Sequence, residues 1–182
     1  MLNSLPNKLT VSRIVAIPLI LVLLVFPYAW AAWVALALFA AAGITDYLDG
    51  YFARRDNEVT KIGQFLDPIA DKLLVAAVIL MLVHNGQISG ISVWPAVIIL
   101  MREVAVSGLR EFLAGLSVSV PVSQLAKWKT TIQMLALGFL IVGRYAPEWI
   151  PATTIGDIGL WVAGVLTIVT AWDYWRAGSK HF

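Results

Sequence analysis

Three runs of this chain, residues 14–26, 30–44 and 73–83, contain no charged side chain at all. Inside a bilayer every backbone N–H and C=O must be satisfied within the structure, so runs of this kind cross it as helices. A transmembrane barrel would alternate apolar and polar residues along each strand, and these runs do not. The composition agrees. Of 182 residues 60% are hydrophobic and 13% charged, about half the charged share of a soluble domain, and the mean hydropathy is +0.83. The chain has no cysteine, which excludes disulfides, thiolate metal sites and cysteine nucleophiles. Its net charge of +2 is too small to imply a nucleic-acid partner.

Reading in order predicts an all-α integral membrane protein with six transmembrane helices and one domain over residues 1–182. Residues 1–13 mix Asn3, Lys8 and Arg13 with Leu2, Leu5, Leu9 and Val11, a spacing that predicts a short interfacial segment before the first span. That span covers residues 14–26, with Pro18 inside it and Pro27 as a stop. Ala29-Trp30-Ala31 has the form of a signal-peptidase site, but the preceding run is long enough to span and Trp30 is bulky beside the cut, so the segment is read as retained. The second helix starts near Trp30 and runs on through the aspartates beyond Thr45. A charged connection at residues 54–58 leads to a third helix from Lys61 to about Val83. Further helices are expected over residues 93–114, from Ser123 to 142, and over 155–172.

In this arrangement Lys8, Arg13, Arg54, Arg55, Lys61, Arg110, Lys127, Lys129, Arg176 and Lys180 fall on one side of the membrane and only Arg144 on the other. Basic residues in short loops stay in the cytoplasm, so both termini are expected there. Trp149, Trp172 and Trp175 read as interface anchors.

The costly feature is a set of four aspartates bordering this apolar sequence. A carboxylate at the centre of a membrane helix costs roughly 2.5–3.5 kcal/mol on insertion scales. Asp46, Asp49, Gly50, Ala53 and Arg54 occupy positions i, i+3, i+4, i+7 and i+8, one stripe of a helix. Gly63, Asp67 and Asp71 form a second stripe at i, i+4 and i+8 on the next helix. Packed antiparallel, the stripes bring four carboxylates into one pocket beside small residues that admit a ligand to the backbone. Oxygen-only ligands point to Mg²⁺, Mn²⁺ or Ca²⁺, and a pair of such ions is a common device for phosphoryl transfer. The plain alternative is a helix interface in which the aspartates pair with Arg54, Arg55, Lys61 and Lys72.

The pattern D-x-x-D-G-x-x-A-R, eight residues, then G-x-x-x-D-x-x-x-D is met without departure. It is similar to the signature of the CDP-alcohol phosphotransferases. That resemblance implies that Asp46, Asp49, Asp67 and Asp71 bind two divalent cations, Mg²⁺ or Mn²⁺, and that Asp71 is also the general base. It further implies contacts to the CDP group by Asp49, Gly50, Ala53, Arg54, Gly63 and Asp67. Homodimers are common in that family.

The acceptor must be read elsewhere. Glu103, Ser107 and Arg110 share a helical face, Arg102 lies about 100° from Glu103, and Lys129 pairs with Gln133 and Lys127 with Thr131 at i+4. Arg102, Arg110, Lys127 and Lys129 are candidates for the phosphate of an acceptor that carries one. Contact with anionic lipid headgroups is the simpler reading for Lys127 or Lys129 taken alone. The segments MREVAVSGLREF, KWKTTIQM and NKLTVSRIVAIP resemble one branch of the family, the bacterial phosphatidylglycerophosphate synthases, over nearly the whole chain. This implies CDP-diacylglycerol and glycerol 3-phosphate as substrates, and a multi-pass location in the bacterial cytoplasmic membrane with the site facing the cytoplasm. Inositol phosphate, serine or phosphatidylglycerol are the alternative acceptors. A divalent-cation transporter and a noncatalytic scaffold are rivals of other classes. His84, His181, Asp157 and Asp173 carry no expected chemistry.

Overall fold

The computed structural model describes residues 5–56, 61–115, 118 and 123–179, without the side chains of residues 5–9, 46–56, 61–65, 67, 177 and 178. Among the described residues the chain is helical throughout. These residues form six long helices, α1 (Leu5–Val25), α2 (Ala29–Asp56), α3 (Lys61–His84), α4 (Val93–Gly115), α5 (Gln124–Val142) and α6 (Ala152–Gly178), with short 3-10 segments at Gly90–Ser92 and Gly143–Tyr145. The stretches Gly90–Gly115, Gln124–Tyr145 and Ala152–Arg176 are each long and apolar enough to cross a membrane, and Thr10–Val25 and Ala29–Thr45 are shorter apolar helices.

Two boundaries differ from the sequence expectation. Residues 5–13 form no separate interfacial segment but the first turns of α1, which continues unbroken through Pro18. Pro6 stands in the first turn, where its missing N–H has no intrahelical partner to lose. At the other end α6 runs past Trp172 to Gly178, since helical hydrogen bonding does not stop where hydropathy falls. The α5 start is as the sequence implies. The Ser123 hydroxyl caps it, accepting from the Ala126 N–H at 3.2 Å.

In lipid, helices gain little by hiding apolar surface from one another, so close packing around small residues must hold them together. Helix α6 shows this on two sides. A Cβ added at Gly156 would lie 2.6 Å from Leu140 Cγ, and one at Gly159 2.9 Å from the Ala136 Cβ, both on α5. A Cβ at Gly164 would lie 2.9 Å from the Pro95 Cβ on α4. Helix α1 packs between α2 and α3, with Ile20, Ala31, Ala35, Leu74 and Val78 buried in a common core. Large apolar side chains such as Val15, Leu19, Leu80 and Val165 face outward instead, as a lipid-facing surface requires.

The end of the bundle that carries the α3–α4 and α5–α6 turns is tied by polar contacts to the backbone. Asn85 Nδ2 donates to the Leu24 carbonyl at 2.7 Å, covering the end of α1. Arg144 donates to the Asn85 carbonyl at 2.9 Å. Gly86, with φ of 70°, ends α3 in the left-handed conformation that glycine adopts without strain.

Candidate active site

At the opposite end of the bundle, charge enters the interior. Arg13 and Lys129 are among the most completely buried large side chains of the protein. Burying a cation is expensive unless a partner and hydrogen bonds compensate it. For Lys129 that partner is Glu103 of α4, whose carboxylate accepts from the ammonium. The same carboxylate receives the Arg102 guanidinium at 3.5 Å. Arg102 reaches on to α6, donating to Thr170 Oγ1 at 3.5 Å and lying 5.8 Å from the centre of the Tyr174 ring. The Thr170 hydroxyl accepts because its own proton goes to the Leu166 carbonyl at 2.9 Å. One carboxylate and one aromatic ring thus hold two cations from two helices in a fixed place.

These groups line a cavity of about 540 Å³ bounded by α3, α4, α5 and α6. Arg102, Arg110 and Lys129 supply cations from α4 and α5, Asp71 and Lys72 line its α3 side, and Glu103, Ser107, Glu111, Thr130 and Gln133 are among its other polar groups. A second cavity of about 660 Å³ lies mainly between α2 and α5. Trp33, Leu36, Phe39, Leu135 and Phe139 make it apolar, and α2 and α5 approach closely at Gly43 and Gly138, where a Cβ would lie 2.9 Å from Met134 Cε and 3.3 Å from Leu36 Cδ1. Arg13 enters it from α1. Asp71 and Thr130 line both cavities. Asp71 is half-buried, and it stands about 15 Å along α3 from its first residue. A water-soluble molecule in one cavity and an apolar chain in the other would therefore meet at the same carboxylate.

The expected site residues are placed unevenly. Positions 46, 49, 50, 53 and 54 lie on α2, and 63, 67 and 71 on α3. Of these only Asp71 has a described side chain; those of Asp46, Asp49, Gly50, Ala53, Arg54, Gly63 and Asp67 lie outside the described residues. Among the described residues no three His, Asp or Glu side chains converge as metal ligands; of the four aspartates expected to hold a divalent cation only Asp71 is among those described. Hard carboxylate oxygens suit Mg²⁺ or Mn²⁺. Arg102, Arg110 and Lys129 are brought together. Lys127 is exposed and lines neither cavity. Lys72, weighed above as an ion-pair partner, donates to the Pro68 carbonyl at 3.1 Å.

Arg102 and Glu103, about 100° apart on their helix, meet all the same. Both line one cavity, because a long guanidinium side chain spans the 100° between neighbouring positions. Two contributions carried no sequence signal: Glu103 as the anchor of Lys129, and Tyr174 beyond the expected end of α6.

Comparison with known proteins now adds to the geometry. Residues 3–169 match the family model described as CDP-alcohol phosphatidyltransferase. The chain is 49% identical to the CDP-diacylglycerol–glycerol-3-phosphate 3-phosphatidyltransferase of Rickettsia bellii, covering 99% of this chain and 98% of that protein. It is 38% identical to the protein of the same name from Bacillus subtilis, over 94% of this chain and 93% of that one. A further likeness, 37% identity over 93% and 90%, is to the namesake in Salmonella choleraesuis. The aspartate signature on α2 and α3, the apolar helices and these full-length matches agree that this membrane protein belongs to the CDP-alcohol phosphatidyltransferase family.

Proposed function

We propose that this chain transfers the phosphatidyl group of CDP-diacylglycerol to the primary hydroxyl of glycerol 3-phosphate, giving phosphatidylglycerophosphate and CMP. The observation that carries the reading is the position of Asp71 between an apolar cavity and a basic one. The relatives' names specify the same pair of substrates. The acyl chains of the donor lie in the α2–α5 groove, open to the bilayer, and the CDP group follows the aspartate signature of α2 and α3. The phosphate of the acceptor sits against Arg102, Arg110 and Lys129, where ionised donors give the strongest hydrogen bonds. Asp71 accepts the proton of the primary hydroxyl as its oxygen bonds to the phosphorus bearing the diacylglycerol, and the bond from that phosphorus to CMP breaks. Asp46, Asp49, Asp67 and Asp71 hold the divalent cations, which when bound neutralise diphosphate charge. Glu103 keeps the cations of the acceptor wall in place without itself facing the reacting centre.

Six membrane crossings with both termini in the cytoplasm are supported by the six helices and by the concentration of Lys and Arg at the end that carries the site. A bacterial cytoplasmic membrane is supported by the organisms of the relatives. The test uses the full chain in lipid nanodiscs with labelled CDP-diacylglycerol and one alcohol at a time. Glycerol 3-phosphate should yield phosphatidylglycerophosphate and CMP in equal amounts. Product only with inositol phosphate, serine or phosphatidylglycerol would refute the acceptor, and Mg²⁺ flux without CMP release would refute the enzyme.

A further inference from the structure

Gln133 follows Lys129 by one turn on the α5 wall of the basic cavity. Its side chain is 1% exposed, and its Oε1 has no hydrogen-bond partner among the described residues. Several polar side chains elsewhere in the bundle close onto backbone carbonyls. Asn85 does so with Leu24, Thr130 with Ala126 at 3.1 Å and Thr131 with Lys127 at 3.2 Å. Gln133 does not. Gln87 Oε1 and Thr167 Oγ1 also have no partner among the described residues, but neither residue lines this cavity. A buried carboxamide oxygen on a cavity wall that no protein group answers is available to whatever fills the cavity.

Four of the charged groups on the cavity wall already match parts of a glycerol 3-phosphate acceptor. Arg102, Arg110 and Lys129 suit the phosphate and Asp71 suits the primary hydroxyl. The polar group that remains on such an acceptor is the hydroxyl of its middle carbon. Among the neutral polar side chains lining the cavity, Gln133 is the most deeply buried. A hydroxyl and a carboxamide can each both donate and accept, so they match whichever way the amide is turned. A lysine at this position would instead favour a second anionic group, and a carboxylate would repel the phosphate.

We propose that Gln133 binds the secondary hydroxyl of the acceptor and thereby sets the preference for a glycerol phosphate over alcohol phosphates that lack this group. The proposal rests on the glycerol 3-phosphate reading above. A site built around a substrate hydroxyl rejects the analogue without it because the buried partner is then left unpaired.

The test compares kcat/KM for glycerol 3-phosphate and for 3-hydroxypropyl phosphate, which lacks only the middle hydroxyl, with the full chain in nanodiscs and CDP-diacylglycerol held saturating. The unaltered protein should prefer glycerol 3-phosphate by about tenfold or more. Gln133→Met, similar in volume, should bring the two substrates within about threefold of each other. A role in packing alone would lower both values together and leave their ratio intact, and that result overturns the proposal. Gln133→Glu keeps an acceptor oxygen, so the preference should persist while charge repulsion raises KM for both alcohols. If Gln133→Met does not assemble, Gln133→Leu takes its place, and an unchanged preference in that variant likewise overturns the proposal. If the unaltered protein uses both alcohols equally well, this proposal fails and the function above stands. If it uses neither, both fail together.

Discussion

The two cavities that share Asp71 are built on opposite principles. The α2–α5 groove is lined by apolar side chains that need no partner, Leu36, Phe39 and Phe139 among them. The α4–α5 cavity is shaped by charges that must be held, with Glu103 tying Lys129 and Arg102 in place. An apolar groove in a membrane protein needs no compensation, since lipid tails fill it as readily as side chains do. A basic wall with Lys129 buried in it needs a fixed counter-charge, and Arg102 Nε and Gln133 Oε1, unpartnered among the described residues, imply a polar occupant. The boundary between the two is where a lipid-linked phosphate can be met by a soluble alcohol.

The largest effect should come at the shared residue. Asp71→Asn preserves shape and removes the base, so CMP release should fall about 10²–10⁴-fold, while the protein remains monodisperse with its helical circular dichroism unchanged. Chelation of divalent cations should likewise stop turnover, with Mg²⁺ or Mn²⁺ restoring it. Activity that survives chelation would argue against the signature aspartates as cation ligands.

A middle-sized effect should separate the two cavities. Lys129→Met should raise the KM for glycerol 3-phosphate about 10–100-fold and leave the KM for CDP-diacylglycerol within about twofold. It should also destabilise the protein by about 1–3 kcal/mol, because Glu103 keeps only its longer contact to Arg102. Adding Glu103→Gln to Lys129→Met should recover most of the thermal stability and none of the acceptor affinity. Recovery of both would show that Lys129 acts on Glu103 alone and contributes no substrate contact. The smallest effect belongs to Lys127→Ala. An exposed cation outside both cavities should alter the acceptor KM by less than about threefold.

Much of this architecture is legible in the residues themselves, for identifiable reasons. Uncharged runs and the Ser123 cap locate the helices because both act within a few residues. The start of α1 and the end of α6 escape, because polar side chains at Arg13, Asp173 and Arg176 mark a membrane boundary without ending a helix. The aspartate stripes are readable for the same local reason, and the family match spans nearly the whole chain. The acceptor wall is only half readable. Arg102, Arg110 and Lys129 are conspicuous as cations near apolar sequence, but Glu103 and Lys129 meet across 26 residues and two helices. Spacing within one helix carries no information about such a pair. Nor can it separate Lys127, which faces outward, from Lys129, two positions along the same helix.

The central claim is that the donor's acyl chain occupies the α2–α5 groove while its phosphate reaches Asp71. A CDP-diacylglycerol carrying a photoactivatable diazirine on one acyl chain tests it directly, by mapping the labelled peptides with glycerol 3-phosphate absent. Labelling concentrated at Trp33, Leu36, Phe39, Leu135 and Phe139, and abolished by excess unlabelled CDP-diacylglycerol, is the predicted result. Competed labelling confined to α4 and α6, away from that groove, would contradict it.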